Sequence, residues 1–300
     1  VSALNGWIGD YLARTGNGLE QIMAFYDANR PVDPTAIRPS ADGKVCVLVH
    51  GLGCNESLWR FPGSGDDYGR LLQDRHGHLP LYVRFNTGRH VSDNGARLAS
   101  LLERLRQSAH PEITDIVLIG HSQGGLVIRS ACHQGAELGH GWTAQVRHVV
   151  YLGTPHLGAP LEQTAARTAR ILGRIDTTAT RVIKDVIDSR PAGVKDLRHG
   201  SLVDEDHAQD TTGPGSEDRC HPVPWLATAR HHLVIGQALP GDLGDALVSP
   251  ASAAARSSGG RPGPPEGTDT HVMPGLNHLA LARHPAVFEH IDRWVGCDGS

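Results

Sequence analysis

The stretch that most constrains this chain is Ile113–Gly125, which reads I-T-D-I-V-L-I-G-H-S-Q-G-G. The apolar, β-branched run Ile116, Val117, Leu118, Ile119 has the composition of a strand. It leads directly into Gly120-His121-Ser122-Gln123-Gly124, and Leu126-Val127-Ile128-Arg129-Ser130-Ala131 continues as a helix. A strand that turns at once into a helix leaves the apex serine in a strained backbone conformation, and side chains two residues before and after it collide. Glycine stands at both of those places, 120 and 124. Such a turn holds the Ser122 hydroxyl clear of the sheet. It also sets the Gln123 N–H at a helix start, where it faces any negative charge developing on a bound group. A bare Gly-x-Ser-x-Gly is common in ordinary turns, so the strand before it and the helix after it carry the signal.

The totals bound what surrounds this turn. Three hundred residues suit an α/β domain with one insertion. With 28 basic and 32 acidic residues and a net charge of −4, the chain has no polybasic footprint for nucleic acid and no bias toward a charged small molecule. No apolar run approaches the ~18 residues that span a bilayer. The start lacks a basic segment followed by an apolar one, so no signal peptide is visible. The chain opens on Val1 rather than Met, and the reading favours a cytoplasmic location over secretion with a leader removed. Cys46, Cys54, Cys132, Cys220 and Cys297 are odd in number, widely spaced and without a C-x-x-C pair. Free thiols are expected, with room for one disulfide.

Along the chain, residues 1–43 read as two short amphipathic helices and a linker. Leu4, Trp7, Ile8, Tyr11 and Leu12 follow helical spacing, and Leu19, Ile22, Met23 and Tyr26 repeat it after a Gly-Asn-Gly break. Pro31, Pro34 and Pro39 mark the linker. Lys44–Val49, Leu81–Phe85, Ile116–Ile119, Val146–Leu152, His232–Ile235 and Thr270–Met273 read as strands, mostly continuous apolar runs of the kind buried on both faces. Helices are expected at 92–110, capped by Ser92 or Asp93, after Ser122, and at about 284–295. Trp59 and Phe61 sit in a loop, as part of a binding wall or of the core. This alternation argues for a mostly parallel sheet covered by helices on both sides, formed by residues 44–157 and 229–300. Residues 158–228 break it: an apolar stripe (Leu172, Ile175, Ala179, Val182, Ile183, Val186, Ile187) and an Asp-rich stretch read as an inserted helical cap or lid. Residues 251–267 are rich in Ala, Ser, Gly and Pro and read as a surface loop.

Partners for Ser122 come from position. His278 stands at the carboxyl end of the last strand, whereas His271 lies inside that strand and His284 starts the closing helix. Asp242 and Asp245 share the loop after the strand at 232–235. Asp245 is favoured because it directly precedes Ala-Leu-Val-Ser, and Asp269 ranks third because it precedes its strand.

Five segments carry a family resemblance: V-H-G-L-G (49–53), G-H-S-Q-G-G (120–125), L-G-T-P-H-L-G-A-P (152–160), G-D-A-L-V-S (244–249) and N-H-L-A-L (277–281). Together they resemble the α/β-hydrolase lipases and esterases, in particular the bacterial lipases and the PGAP1-like group. The resemblance implies an α/β-hydrolase fold and a chain order of nucleophile, acid, histidine, here Ser122, Asp245 and His278. It implies an oxyanion hole made by the N–H groups of Leu52, one residue past His50-Gly51, and of Gln123. The activity implied is hydrolysis of carboxylic esters with apolar acyl groups, on a small-molecule ester or lipid, with no cofactor. Acyl transfer or amide cleavage on the same triad, and a silent hydrolase fold used for binding, are the rival readings. The structural calcium of several such lipases is not carried over, because its ligands have no match here.

Overall fold

The computed structural model describes residues 2–16, 18–27, 29–159, 191–206, 220–239, 244–256 and 260–297. Its frame is one eight-stranded sheet. Helix α1 (Ser2–Arg14) precedes strands β1 (Ala24–Asp27), β2 (Arg30–Val32) and β3 (Lys44–Val49). Then follow α2 (Tyr68–His76), β4 (Leu79–Arg84), α3 (Val91–Ser108), β5 (Asp115–His121), α4 (Gln123–Glu137) and β6 (Val146–Leu152). Helix α5 (Ala192–His199), β7 (Arg230–Gln237), the single turn α6 (Pro250–Ala253), β8 (Asp269–Pro274) and α7 (Pro285–Gly296) complete the order. In space the strands run β2-β1-β4-β3-β5-β6-β7-β8. The pairs β1–β2 and β1–β4 are antiparallel and every other pair is parallel.

Strand side chains point alternately to opposite faces, and both faces are buried. Along β3, Val45, Val47 and Val49 join the core under α3 and α4, with Leu98, Leu102, Leu105 and Val127. Cys46 and Leu48 belong to the opposite core, with Tyr68 and Leu72 of α2 and Val287, Phe288 and Ile291 of α7. Trp59 and Phe61 are part of that second core, packed around Tyr68. The core reading of these two aromatics therefore prevails over the binding-wall reading.

Two local expectations fail for physical reasons. Residues 24–27 are a strand rather than a second amphipathic helix. Phe25 pairs across the sheet with Val83 and is buried there, while Ile22, which the helical spacing would bury, is exposed. Asn5 of α1 fixes this turn from outside, accepting from the Gln21 N–H at 2.7 Å and donating to the Leu19 carbonyl at 2.8 Å. Neither Ser92 nor Asp93 caps α3. Its first N–H, on Val91, donates to Asp196 Oδ2 at 2.6 Å, a carboxylate supplied by α5. Helix α2 had no counterpart in the sequence reading. The expected cap over 158–228 falls largely on residues 160–190 and 207–219, outside the described residues, as does Asp242. Cys46, Cys54 and Cys132 are free thiols. Among the described residues no helix is long and apolar enough to cross a membrane.

One long-range bond set locks the histidine-bearing end of the chain to helix α2. The Tyr68 hydroxyl donates to the Leu281 carbonyl at 2.8 Å and accepts from the His284 N–H at 3.0 Å. A buried hydroxyl placed between a buried acceptor and a buried donor satisfies both. Tyr68→Phe is expected to destabilise the chain by about 1–3 kcal/mol. Urea denaturation checks this: the midpoint should fall with the slope unchanged.

Candidate active site

The parallel strands end together. Register places Val49 beside Gly120, His121 beside Leu152, and Leu152 beside Val234. The loops that leave β3, β5, β6, β7 and β8 therefore gather along one edge, the carboxyl edge where open α/β sheets bind ligands. All five candidate residues lie on or next to these loops.

Ser122 sits between β5 and α4 with φ 53° and ψ −123°, in the left-handed region that a side chain rarely adopts. Its own N–H donates to the Leu152 carbonyl at 2.9 Å, which ties the turn to β6. The flanking glycines are required by space. A Cβ on Gly124 would stand 2.1 Å from the Val49 carbonyl oxygen, and one on Gly120 would stand 2.6 Å from Gly125 Cα.

His278 and Asp245 meet as a buried pair. His278 Nδ1 and Asp245 Oδ2 are 2.6 Å apart, at 3% and 1% exposure. The other carboxylate oxygen, Oδ1, accepts from the N–H groups of Leu247 and Val248 at 2.9 and 2.8 Å. The turn that presents these donors has Ala246 at φ 81°. The His278 N–H donates to the Asp245 carbonyl at 3.1 Å, so main chain and side chain both fix the pair. Burial alone would raise the Asp245 pKa, but the His278 ring and the two backbone donors outweigh it and hold the carboxyl below its usual range. Among the described residues no hydrogen bond joins Ser122 Oγ to His278. In unliganded sites of this kind that contact is often long.

The loop after β3 lies against the serine. A Cβ on Gly51 would be 3.0 Å from Ser122 Cβ and 3.0 Å from His121 Nδ1, so a larger residue there would press on both. The next residue is Leu52. Among the described residues neither the Leu52 nor the Gln123 N–H has an acceptor within the chain. Thr87 binds both neighbourhoods: its Oγ1 accepts from the Gly53 N–H at 3.1 Å, and its carbonyl accepts from Gln123 Nε2 at 2.9 Å. The sequence reading passed over Thr87. Its signal is the polar Asn86-Thr87-Gly88 run directly after a buried strand.

The rival residues are placed elsewhere. Asp269 opens β8 and contacts His232 at 3.1 Å; His284 caps α7 by accepting from the Ala286 N–H; His271 lies within β8 beside His290. A cleft of about 700 Å³, lined by Lys44, Asp115, Arg147 and Arg230 among others, lies at the amino ends of the strands and away from this edge. Among the described residues no group of His, Cys, Asp and Glu side chains is arranged to hold a metal ion.

Because the folded carboxyl titrates below its unfolded value, the pair contributes stability above the ordinary carboxylate range. That contribution is lost as pH falls through the folded pKa. Asp245→Asn is expected to cost about 1–3 kcal/mol at neutral pH. The gap to wild type should narrow below about pH 4, a trend that thermal unfolding at several pH values measures.

Residues 19–199 match the model of a family described as a domain of unknown function, DUF7379. No curated protein matches the chain in sequence. Among solved structures, Bacillus licheniformis lipase BlEst2 in mature form superposes with a TM-score of 0.56 at 18% identity, over 86% of this chain and 94% of that one. The Pyrococcus furiosus esterase PF2001 gives 0.51 at 13% identity, over 86% and 82%. A Listeria innocua protein, the lin2722 gene product, gives 0.51 at 14% identity, over 85% and 94%. Identities this low speak to architecture. The mostly parallel eight-stranded sheet with helices on both faces is the α/β-hydrolase fold.

Proposed function

The chain belongs to the DUF7379 family, and we propose that this member is a serine carboxylic-ester hydrolase, an esterase or lipase acting on apolar acyl esters. The observation that carries the reading is the buried 2.6 Å contact between Asp245 and His278 on the loops that flank a strained serine turn. An imidazole held by a carboxylate through Nδ1 presents Nε2 as a base. A serine at positive φ, held off the sheet by a glycine on either side, is the group such a base serves. Two structures sharing the fold are named as a lipase and an esterase, which adds support.

In the proposed reaction His278 Nε2 takes the Ser122 hydroxyl proton as Oγ attacks the ester carbonyl. The carbonyl oxygen gains the negative charge and is received by the N–H groups of Leu52 and Gln123. Asp245 holds the imidazole tautomer and stabilises the imidazolium. The intermediate collapses, the C–O bond to the alcohol breaks, and His278 returns the proton to the leaving alkoxide. Water then attacks the acyl-enzyme with the same histidine as base, releasing the acid and restoring Ser122. Each oxyanion donor is worth roughly 100- to 1,000-fold in rate.

His50 and His121 also border this site, but burial keeps both neutral. Their pKa values fall to about 4 and about 3 respectively, largely by desolvation. Neither competes with His278 as the base.

The test is turnover of p-nitrophenyl esters from acetate to palmitate, by wild type and Ser122→Ala side by side. Wild type should hydrolyse part of the series, and the variant should lose at least about 1,000-fold in kcat with its fold intact. Equal turnover by the two proteins would rule out the serine mechanism. The chain length at the maximum separates a short-acyl esterase from a long-acyl lipase.

A further inference from the structure

His278 is held at three points. Its N–H donates to the Asp245 carbonyl at 3.1 Å, and its ring contacts Asp245 Oδ2 at 2.6 Å. Both of those anchors belong to the acid's own turn. The third comes from the other side of the site: His121 Nε2 lies 2.9 Å from the His278 main-chain carbonyl. A carbonyl can only accept, so His121 carries its proton on Nε2 and donates it there.

His121 is the last residue of β5, and the next residue is Ser122. Its ring is buried, with its centroid 4.7 Å from that of His278 and a tilt of 52° between them. The second ring nitrogen, Nδ1, is buried with no hydrogen-bond partner and faces Gly51, where a Cβ would stand 3.0 Å away. The side chain thus gives up one hydrogen bond in the core in order to make the other. Burial, aided by the nearby His278 ring, lowers its pKa to about 3, so the donor is neutral and constant above that range.

Among the described residues, this is the hydrogen bond that joins the base's loop to the strand carrying the serine. Asp245 sets how the imidazole is turned but says nothing about its distance from Ser122. A donor one residue from the serine, bonded to the base's own backbone, fixes that distance directly. We propose that His121 is a positioning residue that sets the offset between His278 and Ser122, and thereby the rate of proton transfer, without touching substrate. This rests on the serine-hydrolase reading above. Proton transfer needs heavy atoms within roughly 2.6–3.2 Å, and a displacement of about 1 Å costs on the order of 100-fold.

Two variants separate the hydrogen bond from the packing. Phenylalanine fills the ring's space without a donor, whereas glutamine places an N–H close to the position of imidazole Nε2 without an aromatic ring. Turnover is counted per active site, titrated with a fluorophosphonate. His121→Phe is expected to lose about 100-fold in kcat, with KM within about twofold and the acid limb of the kcat/KM profile displaced. His121→Gln should recover at least about tenfold of that loss. A readout that needs no substrate is the far-downfield proton NMR signal of the Asp245–His278 hydrogen bond, assigned by its disappearance in Asp245→Asn. That signal should move in the phenylalanine variant and return in the glutamine one.

Wild-type kcat and an unmoved proton signal in His121→Phe would overturn the proposal. So would a glutamine variant no better than phenylalanine, with both losing activity only in step with their folded fraction. If the phenylalanine variant does not fold, glutamine decides alone: near-wild-type kcat supports the donor role, and a loss as deep as that of Asp245→Asn refutes it. If the wild type hydrolyses no ester, the functional reading fails on its own, and the proton signal still decides the role of His121.

Discussion

Everything at the carboxyl edge depends on one backbone constraint, the change from strand to helix within a single residue at Ser122. Its φ of 53° is tolerated because the turn is fixed on several sides. The Ser122 N–H bonds to β6, α4 starts at once, and the bare Cα atoms of Gly120 and Gly124 let neighbouring backbone close in. Strain of this kind costs roughly 1–3 kcal/mol and persists only where the surroundings hold it. The surroundings here are the most buried strands of the sheet, β3, β5 and β6, with cores on both faces. The serine is presented by strands packed against a core on each face.

The other groups are brought to the serine by topology. Parallel register aligns the strand ends, so loops far apart in sequence converge without any one of them being long-range by design. Tyr68 then pins the turn after His278, and Thr87 links the loop after β3 to α4. Electrostatics completes the selection. His50 and His121 are buried and held neutral; the His278 ring contacts a buried carboxylate whose second oxygen is already occupied by two N–H groups.

Much of this was legible in the residues, and the physical reason is locality. A strand buried on both faces writes itself as a continuous apolar run, as in Lys44–Val49, and a strained turn writes itself as paired glycines. Asp245 and His278 stand out in the sequence because each follows such a run; the contact between them follows from sheet order. What was hidden is tertiary. The cap of α3 is a carboxylate more than a hundred residues away, at Asp196. Residues 24–27 follow a helical spacing that pairing with β4 overrides. Helix α2 (Y-G-R-L-L-Q-D-R-H) offers too few apolar positions to show a period, and it is held by Tyr68 and Leu72 against the sheet. The hydrogen bond of His121 to the His278 carbonyl leaves no trace in the sequence beyond the identity of one elbow residue.

The central claim is that the residue at the strained turn is a nucleophile. Peptide mass spectrometry after reaction with a fluorophosphonate tests it without assuming a substrate. The account expects one adduct per chain, on the peptide carrying Ser122, forming more slowly in Asp245→Asn. An adduct on any other residue, or ester turnover by a chain whose Ser122 stays unmodified and unprotected, would contradict it.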